Sequence, residues 1–250
     1  MKFICKAPSR MFRSLSSATA RYVLKTGFLL LCFILVHCGK IPIKKYYVIN
    51  YEPVPMTDRL SPNPYPCVIR IKEFDIEEAY SRPQIVYRKS PYELLYYYFR
   101  VWAVKPTKMI TDMVEKHLVS TALVSHVVRR FDEGFKPDYE LTGNIEALEE
   151  YDNKDIWWAH LSLRFELTRL KDRQIIYTQS FDKRKRVFQY NPEDVIRELS
   201  QIMDFIMSQV LKDIDNKLAK EYGLIKDPAA DSYSTNTEKQ DSLSLGDKIE

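Results

Sequence analysis

The spacing of hydrophobic residues predicts alternating strands and helices over residues 46–225. The clearest period of two runs over residues 156–170, where Trp157 and Leu161 fall on one side of the chain and His160 falls on the other. Successive side chains of a strand point to opposite faces, so this segment predicts a strand with one face buried. The same reasoning predicts shorter strands over residues 44–51, 67–74, 85–88, 94–99, 139–148 and 175–181.

Two segments have the spacing of helices instead. Apolar residues fall three or four apart from Thr107 to about Arg130, and again from Val195 to Leu218. The second helix begins after Asn191, with a proline at its first position, as is typical of a helix start. These elements predict an α+β domain. Its antiparallel sheet has about six to seven strands in the order β-β-β-β-α-β-β-β-α, and two helices pack on one face.

A short hydrophobic segment precedes this domain. It spans about ten apolar residues after Lys25, whereas a membrane-spanning helix needs about 20. The pattern favours a signal peptide over residues 1–37, with an uncleaved N-terminal anchor as the alternative. Residues 35–38 resemble the bacterial lipobox, in which cleavage leaves a lipid-bearing cysteine at the mature N-terminus. His37 stands where that pattern has Gly, Ala or Ser, and Cys38 is the expected lipidation site.

Charge and polarity define the remaining boundaries. Residues 1–37 carry six cations and no acid, so the net charge of +4 becomes −2 for the rest of the chain, and no basic field indicates nucleic acid. We expect residues 38–45 to form the lipidated N-terminus and tether, and residues 46–225 to form one domain. The polar residues 226–250 predict a disordered tail, because they offer too little apolar surface to bury.

The sequence contains no pattern typical of catalysis, metal binding or cofactor binding. It lacks a glycine-rich phosphate loop, a nucleophile elbow and a paired-cysteine motif. His117, His126 and His160 are expected to be structural or surface residues, and Cys67 is expected to be buried in a strand. The acidic pair Glu149–Glu150 is expected to be solvated or to cap an element.

A run of basic residues and a cluster of aromatic residues are candidates for binding. The run Lys183–Arg186 is expected either to face anionic lipid headgroups or to be a solvated strand end. The aromatic cluster over residues 92–102 is expected to be largely core, with alternate members left for a partner or an apolar ligand.

Taken in order, these residues resemble the ABC-type transport auxiliary lipoprotein family, which includes the PqiC-like proteins. The resemblance rests on residues 84–88, on residues 92–103 with the run Arg100-Val101-Trp102-Ala103, and on residues 138–145. It extends over roughly residues 46–220.

The resemblance implies a non-catalytic component of an envelope lipid-transport system with an ABC ATPase, a permease and an MCE-type substrate-binding protein. It implies a lipid anchor in the bacterial cell envelope, with the outer membrane favoured, and it is compatible with a homo-oligomer. The alternatives are an envelope hydrolase and a stand-alone lipid-binding lipoprotein. The candidate partner-binding residues are Arg88, Tyr92, Tyr96, Tyr98 and Arg100. The competing interpretation is that both arginines pair with carboxylates of the domain, such as Glu93.

Overall fold

A computed structural model describes residues 21–22, 25–28, 42–129, 134–153, 156–188 and 191–225. The predicted lipidation site Cys38, the predicted cleavage site and the tail 226–250 lie outside the described residues. Within the described residues, no helix is long and apolar enough to cross a membrane. Those from Lys44 onward belong to one compact unit.

The described residues from Lys44 onward form nine strands, two α-helices and a short 3₁₀ helix. The strands are β1 (Lys45–Tyr47), β2 (Tyr65–Ile71), β3 (Asp75–Ile76), β4 (Gln84–Ser90), β5 (Glu93–Trp102), β6 (Val124–Val128), β7 (Tyr139–Asn153), β8 (Ile156–Arg169) and β9 (Gln174–Val187). The helices are α1 (Pro106–Thr121) and α2 (Pro192–Glu221), and the 3₁₀ helix is Glu78–Tyr80.

The long strand β7 organises the sheet. One edge of β7 pairs along its whole length with β8, which in turn pairs with β9, and both pairings are antiparallel. The other edge pairs in succession with β2, β3 and β4, all parallel to it. β6 extends the sheet beyond β2, and β5 and then β1 extend it beyond β4. The sheet therefore has two arms that share β7.

The main core lies between this sheet and the two α-helices. The predicted inward residues of β8, such as Leu161 and Phe165, are fully buried. They belong to one cluster with Ile110 of α1 and Ile206 of α2. Both α-helices therefore pack on the same face, and that face is the covered face of the sheet. Among the described residues, no α-helix lies over most of the other face, which we call the open face.

The predicted class and helix placement agree with this structure, but two details of the sheet were wrong. The sheet is mixed, because β2, β3 and β4 run parallel to β7, and it has nine strands. The first helix also ends at Thr121 and not near Arg130. Ala122 adopts a left-handed φ of 46° that caps the helix, and the β-branched residues that follow form β6.

Local sequence explains the second helix and one close approach in the sheet. The Asn191 side chain accepts a hydrogen bond from the Glu193 amide at the start of α2, as predicted for an N-cap. In β7, Gly143 lies against the Phe74 ring. A Cβ at this position would overlap that ring and come within 2.7 Å of the Arg164 carbonyl oxygen. Only glycine allows β7, β8 and Phe74 to meet there.

Candidate functional site

The five predicted partner-binding residues lie in the hairpin formed by β4 and β5, but they do not share one environment. Tyr92 lies in the turn and is 98% exposed, and Tyr98 on β5 is 75% exposed. Tyr96 is also exposed. Arg88 and Arg100 are half-buried and contact other side chains of the domain. The hairpin therefore presents tyrosines to solvent, and the arginines help to hold it in place.

Arg88 belongs to a polar cluster on the open face, centred on the buried Glu149 of β7. The Arg88 Nε lies 3.1 Å from both carboxylate oxygens of Glu149, and its Nη1 donates to the Pro91 carbonyl in the hairpin turn. The Tyr80 hydroxyl donates to the same carboxylate at 2.8 Å. Arg88 thus pairs with a carboxylate of the domain, as the competing interpretation expects, but the partner is Glu149.

This open-face cluster continues across two more strands. The ring nitrogens of His160 lie 3.0 Å from Glu149 Oε1 and 2.7 Å from Asp182 Oδ1. Burial alone would raise the pKa of Glu149, but the hydrogen bonds from His160 and Tyr80 and the charge of Arg88 hold it below its ordinary value. The cluster links the 3₁₀ helix to β4, β7, β8 and β9 through an ionised carboxylate.

Glu150 is the next residue of β7, so its side chain points to the covered face. Its carboxylate accepts a hydrogen bond from the Tyr97 hydroxyl at 2.7 Å and another from the Trp157 indole. The Arg100 Cζ lies 4.1 Å from the Tyr97 ring centroid, and its Nη1 has no hydrogen-bond partner among the described residues. Tyr87 also stacks on Tyr97, with ring centroids 4.3 Å apart.

The environment of Glu150 has the opposite electrostatic effect. Burial raises its pKa to about 7, and the hydrogen bonds from Tyr97 and Trp157 and the charge of Arg100 offset only part of that effect. Arg100 is close enough to favour the ionised form but does not form a direct ion pair with it. The expectation that Glu149 and Glu150 are solvated or capping was therefore wrong, because both carboxylates are buried and hydrogen-bonded inside the sheet.

The exposed tyrosines of β5 lie beside an irregularity in strand pairing. Between the pairs Gln84–Val101 and Val86–Tyr96, one residue of β4 lies opposite four residues of β5. Such a bulge bends the strand and displaces its side chains from regular pairing. Among the described residues, no strand pairs with the far edge of β5 between Glu93 and Phe99, because β1 covers only its last three residues. The hairpin therefore offers both exposed tyrosines and an open strand edge.

The basic run Lys183–Arg186 lies within β9 and divides between the two faces. Lys185 forms an ion pair with Glu198 of α2 at 2.7 Å, and Lys183 lies over the Phe205 ring, so both point to the covered face. Arg184 and Arg186 pair across from His160 and Trp158 and point to the open face. Only half of the run is thus available to an external anion.

Each described histidine contacts carboxylate or aromatic side chains. Both ring nitrogens of His160 contact carboxylates. His117 is buried, its Nε2 lies 2.6 Å from the Tyr51 hydroxyl, and burial lowers its pKa to about 4. His117 is on α1 and His126 is on β6, not on one helix as predicted. Within the described residues, no cluster of three metal-ligating side chains is present.

Two surface grooves are lined by residues outside the β4–β5 hairpin. One of about 520 Å³ near the start of β7 is lined by Lys136, Asp138, Arg169 and Lys171 together with apolar and tyrosine side chains. A smaller one of about 170 Å³ lies beside His117. Cys67 is buried as predicted, and burial raises the pKa of its thiol to about 12, so it is not a reactive site.

The sequence model of a family described as "ABC-type transport auxiliary lipoprotein component" matches residues 47–211. The match covers both polar clusters and the whole β4–β5 hairpin. The chain belongs to this family of auxiliary transport components. A search of curated proteins found no match.

Solved structures share the fold at low sequence identity. A crystal structure of protein XCC0632 from Xanthomonas campestris, assigned to the DUF330 family, is 16% identical with a TM-score of 0.64. The alignment covers 72% of this chain and 99% of that one. An uncharacterised protein is 11% identical with a TM-score of 0.55, covering 69% of this chain and 99% of that one. These likenesses concern the fold alone.

Proposed function

We propose that this chain is a lipid-anchored, non-catalytic component of an envelope lipid-transport system, and that it docks an MCE-type substrate-binding protein at the outer membrane. Family membership supports an auxiliary role in ABC transport and a lipoprotein located in the cell envelope. Anchoring through Cys38 supplies the attachment to the membrane. We propose the MCE-type partner, the location at the outer membrane and the non-catalytic role.

The exposed tyrosines of the hairpin are the observation that supports the docking role. Tyr96 and Tyr98 stand on a bulged strand whose outer edge is open between Glu93 and Phe99. Tyrosine supplies a large contact area at a low entropic cost and is frequent at binding hot spots. An open strand edge can also accept a strand from a partner. We assign the docking surface to Tyr96, Tyr98 and this edge.

The two arginines have an indirect role in this proposal. Arg88 ties the hairpin turn to Glu149 through the Pro91 carbonyl, and Arg100 packs on Tyr97 beneath the hairpin. Substituting either arginine is expected to weaken docking by loosening the hairpin. Tyr92 is separate, because it lies at the tip and not on the bulged part of β5.

Co-purification from cell envelopes tests the docking surface. The variant Tyr96→Ser/Tyr98→Ser is expected to lose most of the co-purifying MCE-type protein, because it removes two candidate aromatic anchors. The matched control is Ile175→Ser, which replaces an exposed apolar residue of β9 at the other end of the sheet. Circular dichroism should be unchanged in both variants, since none of the three positions is in the core. The melting temperature of the double tyrosine variant should fall only slightly, because Tyr96 loses its contact with Arg82.

Two results would contradict the proposal. Wild-type recovery of the partner with the double tyrosine variant would exclude this docking surface. Failure of the native chain to retain any MCE-type protein would exclude the partner class.

A further inference from the structure

The β4–β5 turn and the C-terminus of β9 lie at the same end of the sheet. Arg88 near the end of β4 is level with Tyr151 near the end of β7. At the same level, Trp158 near the start of β8 pairs with Arg186 near the end of β9. We call this end, with the side chains of Tyr92, Arg184, Arg186 and Phe188, the tether end.

The tether end has two exposed aromatic side chains at its extremities. Tyr92 in the hairpin turn is 98% exposed, and Phe188, directly after β9, is 85% exposed. Three strand spacings separate β4 from β9, which places the two tips about 15 Å apart. Aromatic side chains at this spacing can both reach a flat surface, and the membrane–water interface is a surface where such rings are enriched.

Cations flank one of these aromatic tips. Arg184 and Arg186 point to the open face, and the Arg186 Cζ lies 5.4 Å from the Phe188 ring centroid. Neither arginine has an acidic partner in the described part of the chain, whereas the neighbouring Lys185 pairs with Glu198. Asp182 shares the open face of β9 with both arginines and contacts His160, and the other acids near this end lie on other elements. Glu93 is in the hairpin, Asp152 is at the end of β7, and Glu193 is in the first turn of α2.

The direction of β1 links the tether end to the predicted anchor. β1 runs parallel to β5, with Lys45 opposite Arg100, so the N-terminal end of β1 faces the start of β5. The hairpin turn lies about 20 Å from Lys45 along β4, at the strand rise of about 3.3 Å per residue. The seven steps from Cys38 to Lys45 span at most about 25 Å. The β8–β9 turn, at the other end, lies about 30 Å from the level of Lys45.

We infer that the tether end rests on the bilayer when Cys38 is lipidated, an inference that depends on the anchoring part of the proposed function. Tyr92 and Phe188 lie at the headgroup level, and Arg184 and Arg186 contact anionic phospholipid headgroups. In this orientation Tyr96 and Tyr98 stand above the surface, so the docking surface remains accessible to a partner beside the membrane.

A pair of matched reporter positions tests this orientation. The full-length lipidated protein carries an environment-sensitive fluorophore at Lys89→Cys, beside Tyr92, or at Lys171→Cys, in the exposed β8–β9 turn. Cys67 is buried and does not compete for the label. The protein is reconstituted in vesicles of phosphatidylethanolamine and phosphatidylglycerol containing headgroup-labelled quencher lipid. We expect strong quenching at position 89 and little at position 171.

Further variants separate the aromatic and electrostatic contributions. Tyr92→Ser/Phe188→Ser should abolish the quenching at position 89 in every vesicle. In phosphatidylglycerol-containing vesicles, Arg184→Gln/Arg186→Gln should lower the equilibrium constant for contact between the tether end and the bilayer roughly fivefold per arginine. The same variant should have no effect in phosphatidylcholine vesicles.

Flotation of the same vesicles keeps the anchoring proposal separate. A protein that fails to float lacks the anchor, which contradicts the proposed function and removes the basis of the inference. A protein that floats but shows equal or greater quenching at position 171 overturns the orientation alone. The fluorophore at position 89 could instead report a shielded environment in both vesicles and detergent, without quenching by the labelled lipid. That result would mean that a second copy or another protein covers this end, and it would also overturn the inference.

Discussion

Glu149 and Glu150 are neighbours in one strand, yet their environments on the two faces of the sheet shift their pKa values in opposite directions. On the open face, Glu149 meets a guanidinium, an imidazole and a hydroxyl, and its pKa falls below the ordinary value. On the covered face, Glu150 meets a phenol, an indole and an offset guanidinium, and burial raises its pKa to about 7. Burial is nearly equal for both side chains. The difference therefore comes from the partners that each face supplies.

The two buried polar clusters connect different parts of the sheet. The open-face cluster joins segments far apart in sequence, from Tyr80 through Glu149 to Asp182, with direct hydrogen bonds. The covered-face cluster forms the polar underside of the docking hairpin, where Tyr97 connects Glu150 to β5. The open face thus ties distant strands together, and both faces support the docking hairpin, through Arg88 on one and Tyr97 on the other.

Removing Glu149 should give the largest effect. Glu149→Ala leaves Arg88 and His160 without their shared carboxylate, and we expect a loss of about 3–5 kcal/mol in the free energy of unfolding, measured with urea at neutral pH. Because the pKa of Glu149 is lowered in the folded state, its contribution is present above its unfolded pKa and is lost in acid. A loss below about 1 kcal/mol, as for a typical surface ion pair, would contradict a buried bracing role.

The pH dependence of stability should separate the two glutamates. The folded pKa of Glu150 lies above its unfolded value, so its contribution is greatest below the unfolded pKa and is lost as pH rises through about 7. Glu150→Gln should remove this loss, which is at most about 3 kcal/mol between pH 5 and pH 8. Urea unfolding at both pH values measures it. An unchanged pH profile would mean that another group causes the loss.

Glu149→Gln is the matched control for that experiment. It replaces a carboxylate that is already ionised at neutral pH, so it should destabilise the protein at pH 8, where Glu150→Gln is expected to stabilise it. If both substitutions changed the free energy of unfolding in the same direction at pH 8, the two faces would not differ in how they affect a buried glutamate.

The regular parts of this fold could be predicted from local patterns, and the clusters could not. Strand β8 and helix α2 have uninterrupted periods of two and 3.6, so their type and buried sides follow from spacing alone. β6 was missed because its apolar residues continue a helical spacing across Ala122, whose left-handed φ ends the helix. Parallel pairing with β7 depends on the packing of distant segments, which no local pattern shows.

The same limit applies to the candidate site. The sequence alone suggests that Glu149 and Glu150 are solvated, because short charged runs are common in strands with one exposed face. The partners of Glu149, which are Tyr80, Arg88 and His160, lie elsewhere in the sequence. The long alternation over β7 is the signal that could have shown it. Adjacent residues of a strand point to opposite faces, so one of two adjacent glutamates in β7 must lie on the covered face and find hydrogen-bond partners there.

Removing Arg100 should give the smallest effect and should sharpen the comparison. Its guanidinium packs over Tyr97 with one nitrogen lacking a partner, so Arg100→Ala should cost about 1 kcal/mol of stability at pH 5. The same change removes a charge that lowers the pKa of Glu150. The loss of stability with rising pH should therefore be displaced at its upper end to a higher pH and be larger than in the native chain, because the folded pKa of Glu150 rises while its unfolded pKa does not change. Combining Arg100→Ala with Glu150→Gln should abolish that displacement. If it persisted, the pH dependence would not arise from the covered-face cluster.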